Sequence, residues 1–107
     1  MGWGEVKINY LEVEQFLVQY GIESDDIVMV RDAPAYYLET NRSAVSIPYG
    51  GIDAILAVSE QFDAYYLILE PEAAIESLKT LIENPNQNSQ FIFLGTIDES
   101  NIFKIIP

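Results

Sequence analysis

The chain contains no cysteine and no histidine. Without cysteine there is no disulfide framework, no thiol nucleophile and no thiolate metal site. Without histidine the commonest general base, the Ser-His-Asp triad and the commonest zinc ligand disappear together. Positive charge is almost as scarce. Five lysines and arginines face 17 aspartates and glutamates, for a net charge of −12. Such a surface repels phosphate backbones and anionic lipid, which argues against nucleic acid as a partner. No run reaches the roughly 18 apolar residues of a membrane span, and the first residues lack the basic and apolar regions of a signal peptide.

Half of the 107 residues are apolar and 12% are aromatic, enough for one domain with a core of its own. After an irregular start at Met1–Gly4, Tyr10, Val13, Phe16, Leu17 and Tyr20 recur on one face of a helix. Glu12, Glu14, Gln15 and Gln19 fall mostly on the other face. Asn9 is placed to cap this helix with Glu12 three residues on, and Gly21 to end it. Ser24-Asp25-Asp26 reads as a turn. Ile27–Arg31 is a short, β-branched run, as expected of a strand buried on both faces. Pro34 suits the first turn of a short helix through about Thr40. A second strand, Ala44–Pro48, leads to the turn Tyr49-Gly50-Gly51.

Ile52, Ile55, Leu56, Val58 and Phe62, with Ala57 in part, line an amphipathic helix that turns Asp53, Ser59, Glu60 and Gln61 to water. Each large apolar side chain buried from it contributes roughly 1.5–3 kcal/mol. Ala64–Leu69 reads as a third buried strand, and Ile75, Leu78, Leu81 and Ile82 as a further helical stripe after Pro71. Asn84–Gln90 is a polar loop. Phe91–Thr96 and Asn101–Ile106 form a hairpin around Ile97–Ser100. Strands alternating with helices predict a small Rossmann-like three-layer α/β domain. Its sheet would be mainly parallel, of about five strands, with a C-terminal antiparallel hairpin.

In open α/β sheets ligands gather outside the carboxyl ends of the strands. Those ends carry Arg31, Asp32 and Glu70, and the connection between the first two strands adds Tyr36, Tyr37 and Arg42. Arginines, tyrosines and carboxylates together suit a sugar, whose ring packs on aromatic faces while its hydroxyls meet charged groups. The same residues also read as core tyrosines and a local Arg31–Asp32 pair. Asp32 with Glu70 is a candidate acid/base or metal pair without an evident third ligand, and neither a metal nor a cofactor is expected. Tyr49-Gly50-Gly51 has the outline of a phosphate loop but lacks both G-x-G-x-x-G and a Walker lysine. Asn41-Arg42-Ser43 fits the N-glycosylation pattern.

The stretch from Val28 to Glu70 resembles the small extramembrane tail of certain bacterial polytopic membrane glycosyltransferases. Those are similar to the dolichyl-phosphate-mannose protein mannosyltransferases and the lipid A aminoarabinose transferases. The likeness rests on Val28, Met29, Arg31, Asp32 and Pro34 at a strand end, then Tyr36 and Tyr37, then Thr40-x-Arg42. It continues through Ile47-Pro48, Gly51 with Asp53, and Tyr66, Leu67 and Leu69, and the closing hairpin fits as well. Asn41 stands where a glycine is common. The resemblance implies a non-catalytic accessory domain, extracytoplasmic and tethered by upstream membrane helices. Its partners would be the parent's membrane domain and a sugar or glycan acceptor, with a polyprenyl-phosphate sugar as the parent's donor. Arg31, Tyr36, Tyr37 and Arg42 are the expected contact residues, and removing Arg31 and Arg42 is expected to leave the domain folded. The alternative is a stand-alone cytoplasmic binding or regulatory protein.

Overall fold

The computed structural model describes residues 9–70, 83 and 88–106. The stripe from Ile75 to Ile82, the irregular start at Met1–Gly4 and most of the Asn84–Gln90 loop lie outside the described residues. Among the described residues, three helices and five strands follow in the order α1 (Tyr10–Gln19), β1 (Ile27–Val30), α2 (Ala33–Thr40), β2 (Ala44–Ser46), α3 (Gly51–Phe62), β3 (Ala64–Leu69), β4 (Phe91–Ile97) and β5 (Ser100–Ile105). They form a mixed α/β fold with one open sheet in the order β2-β1-β3-β5-β4. Strand β1 pairs in parallel with β2 and β3, whereas β5 runs antiparallel to both β3 and β4. The first two predicted strands reach a residue or two past the observed ends: Arg31 and Pro48 lie just beyond β1 and β2.

The ends of the elements follow from local chemistry. The Asn9 side chain accepts the Glu12 N–H at 3.2 Å and donates to the Glu12 carboxylate at 3.0 Å. After α1, Gly21 adopts φ +95°, and the N–H groups of Gly21 and Ile22 return to the carbonyls of Val18 and Leu17. That is the Schellman closure that a glycine permits and a Cβ resists. Asp32 caps α2 by accepting from the Ala35 N–H at 3.2 Å. The β4–β5 hairpin turns through Asp98 and Glu99, both at positive φ. Such a pair matches the primed turn that suits the strand twist.

Alternation along the strands divides the core in two. Val28, Val30, Tyr66, Ile68 and Ile102 pack with Tyr10, Val13 and Leu17 of α1 and Tyr36 of α2. Met29, Leu67, Leu69, Phe103 and Ile105 pack with Ile55 of α3. The period of two sends successive residues of one strand to opposite faces, so β1 and β3 are apolar throughout. Ser59, expected at the solvent face of α3, is instead fully buried. Tyr20, expected on the apolar face of α1, is half exposed and donates to the Leu94 carbonyl at 3.0 Å.

Candidate functional site

Because β1 and β3 are neighbours while β2 lies on the far side of β1, the order of connection reverses between β1 and β3. The carboxyl ends there carry Arg31, Asp32 and Glu70, as the sequence suggested. The crevice itself is filled from within. Tyr10, the first residue of α1, is buried and donates its hydroxyl to Glu70 Oε2 at 2.8 Å. Its ring lies 5.1 Å from that of Tyr36, centroid to centroid. Burial, followed by the bond to Glu70 and the nearby charges of Glu70 and Asp32, pushes the Tyr10 phenol well above its ordinary range.

Behind Tyr10 a second polar cluster closes the interior. The Tyr36 hydroxyl donates to Glu14 Oε1 at 2.9 Å. Arg42 donates Nε to Glu14 Oε1 at 2.8 Å and pairs Nη2 with Glu14 Oε2 at 2.7 Å, a bidentate fork. Its Nη1 donates to the carbonyls of Glu23 at 2.6 Å and Asp26 at 2.9 Å. The Arg42 guanidinium is held charged, chiefly by its hydrogen bonds to Glu14. Tyr36 is fully buried, and burial, with the Glu14 charge next, raises its phenol far above the usual value. This cluster ties α1 to α2, to the α2–β2 connection and to the turn before β1.

The six residues singled out by sequence therefore divide. Tyr36, Arg42 and Glu70 point inward, with Arg42 and Glu70 each only 7% exposed. Arg31 and Asp32 are exposed, and Asp32 serves as the α2 cap. Tyr37 lines a groove. The expectation that Arg42 can be removed without harm to the fold is corrected: its removal would strand Glu14 in a largely enclosed site. Among the described residues, the carboxylates of Glu23, Asp25 and Asp26 can meet at one point. Asp26 Oδ2 already accepts the Glu23 N–H at 2.8 Å, as in an ordinary acidic turn.

The groove was not foreseen. It has a volume of about 650 Å³ and runs along β2, with Ala33, Pro34 and Tyr37 of α2 on one side and Val58 and Phe62 of α3 on the other. Strand β2 is an end strand of the sheet. The Ser43 carbonyl accepts from Val28 N–H, and Ile47 N–H donates to the Val30 carbonyl. Odd-numbered residues thus face β1. The N–H and C=O groups of Ala44 and Ser46 then face outward, unpaired with any described strand. The sequence signal for this was a very short apolar strand, AVS, bounded by Arg42-Ser43 and Pro48. Among the described residues no helix is long and apolar enough to cross a membrane. No family model, curated protein or solved structure matches the chain.

Proposed function

We propose that this chain is a non-catalytic accessory domain of a larger membrane glycosyltransferase that uses a polyprenyl-phosphate-linked sugar. Within that protein it stands on the extracytoplasmic side and packs or binds through its β2 edge. The fold is read as a small Rossmann-like three-layer domain, a reading supported by the two apolar clusters on opposite faces of the sheet.

The observation that carries the non-catalytic reading is the inward commitment of the polar residues. Thr40 Oγ1 donates to the Tyr36 carbonyl at 2.7 Å and accepts from the Arg42 N–H at 3.2 Å. Arg42 spends its donors on Glu14 and two carbonyls, and Tyr10 fills the crevice beside Glu70. The Thr40-x-Arg42 element of the resemblance is thereby accounted for by construction of the domain. At the β2 edge the described surface opens into an apolar groove, which suits a contact site.

The test is the size and fractionation of the native polypeptide, detected with an antibody against this domain. A band far larger than 12.1 kDa that pellets with membranes is the expected result. A freely dissolved band at the size of this chain would overturn the reading in favour of a stand-alone binding protein.

A further inference from the structure

We infer that a pocket at the amino end of β1 and β3 binds a free α-amino acid with an apolar side chain. It lies at the opposite end of the sheet from Glu70 and depends on neither the β2 edge nor the membrane parent.

Three segments build the pocket. The turn between α1 and β1 supplies Glu23 and Asp26, the start of β3 supplies Tyr65 and Tyr66, and Lys104 and Ile106 come from the end of β5 and just beyond it. They meet because Tyr66 lies opposite Lys104 across the antiparallel β3–β5 pair, while Ile27, next to Asp26, pairs with Ala64. The pocket has a volume of about 380 Å³, within the roughly 300–1,000 Å³ of small-molecule sites.

Opposite charges stand apart in it. The Lys104 ammonium lies over the Tyr66 ring, 5.9 Å from its centroid. Lys104 forms no ion pair with a described residue, although two carboxylates share the pocket. Their charge is felt at the Tyr66 phenol, which is raised first by burial and then by Asp26, with Arg42 lowering it and Glu23 adding last. Elsewhere in the chain opposite charges close on each other, as Arg42 does on Glu14 at 2.7 Å. Here the space between them offers the two ends that a zwitterion needs.

The neighbouring charges agree. Arg42 stands behind the turn, with Nη1 on the carbonyls of Glu23 and Asp26 and the rest of its fork on Glu14. Asp25 belongs to the same acidic turn, and Asp63 accepts the hydroxyl of the lining residue Tyr65 at 3.0 Å. Negative charge thus exceeds positive around the pocket, which favours a ligand with an ammonium over a bare carboxylic acid.

Tyr66 is the independent sign of a missing partner. It is 8% exposed, yet its hydroxyl makes no hydrogen bond among the described residues. A buried phenol ordinarily finds one. The sealed, unpartnered side-chain oxygens among the described residues are those of Ser59 and Ser100, so the Tyr66 oxygen keeps an opening, and Tyr66 lines this pocket. A carboxylate held by Lys104 gives that hydroxyl its acceptor, while Asp26 and Glu23 take the ammonium. Tyr65 and Ile106, the latter 40% exposed, leave apolar surface for the side chain.

The probes are L-phenylalanine, phenethylamine and phenylpropanoate, titrated in turn into the whole chain and followed by backbone amide NMR. The expected result is saturable movement of the Tyr66 and Lys104 amide signals with phenylalanine. Each analogue lacks one charge and should bind about tenfold more weakly or worse. Lys104→Met, at an exposed position, should lower phenylalanine affinity about tenfold and erase its advantage over phenethylamine. The comparison of the three ligands needs no variant, so it carries the test even if Lys104→Met fails to fold. Absence of saturable movement, equal binding of all three ligands, or unchanged affinity in folded Lys104→Met would overturn the inference. None of those results touches the native size of the polypeptide, so failure here is distinguishable from failure of the membrane-domain reading.

Discussion

Two regions of this domain have opposite chemistry and opposite accessibility. The cluster of Tyr10, Glu14, Tyr36, Arg42 and Glu70 holds the residue types from which binding sites are usually built, yet its polar atoms are joined to one another inside the fold. The β2 edge consists of alanine, valine and serine beside a tyrosine and a phenylalanine, and no described strand covers it. The difference teaches that residue type names a capacity, while the element carrying it decides whether that capacity faces water. Arg42 follows a helix whose left-handed cap, Asn41 at φ 63°, turns the chain back toward α1. There Glu14 meets it 28 positions away in sequence.

The largest expected effect comes from breaking the interior cluster. Arg42→Met leaves the Glu14 carboxylate, only 16% exposed, without its cation. Removing one partner of an enclosed pair costs roughly 3–5 kcal/mol, so denaturant unfolding should show a loss of that order. The double variant Glu14→Leu with Arg42→Met should recover much of it, because a pair replaced by apolar groups leaves no orphan charge. If Arg42→Met alone proves neutral, the cluster does not hold the fold.

A smaller effect follows from the two buried phenols. Tyr10 and Tyr36 keep their protons in the folded chain well above the ordinary tyrosine value of 10.0, each chiefly through burial. Their contribution is thus fully present below about pH 10 and is lost as pH rises further, since the unfolded chain ionises first. Stability should fall on the alkaline side from that point. Tyrosinate absorbance from these two rings should appear together with loss of structure, not before it. Tyr36→Phe should flatten the alkaline decline, at the cost of one hydrogen bond to Glu14.

Much of the frame was legible. Ala64–Leu69 is a strand with the predicted ends, the Asn9 cap and the Gly21 stop are where their chemistry places them, and the hairpin closes the sheet. These follow from local rules, periodicity and capping, which need no knowledge of distant neighbours. The candidate site was less legible, for a physical reason. Glu14 was assigned to the wet face of α1, although its place four residues after Tyr10 and three before Leu17 puts it beside the buried stripe. Read that way, a carboxylate bordering a core face demands a cation, and Arg42 was among very few available. The β2 groove left almost no trace, because a crevice between two helices over a strand edge is a product of packing rather than of any single segment.

The smallest expected effect is at the groove itself. Phe62→Ala removes a side chain that is 45% exposed, so stability should change by less than about 1 kcal/mol. A large loss would mean that Phe62 belongs to the core and that the contrast between the two regions is misdrawn.

The most direct measurement of that contrast is residue-resolved amide hydrogen exchange along β2 in the free chain. Val45 and Ile47, whose N–H groups face β1, should be protected, with Ala44 and Ser46 exchanging nearly as fast as open amides. Equal and strong protection of all four would mean that the edge is already covered, and the account of β2 as an open edge strand would be wrong.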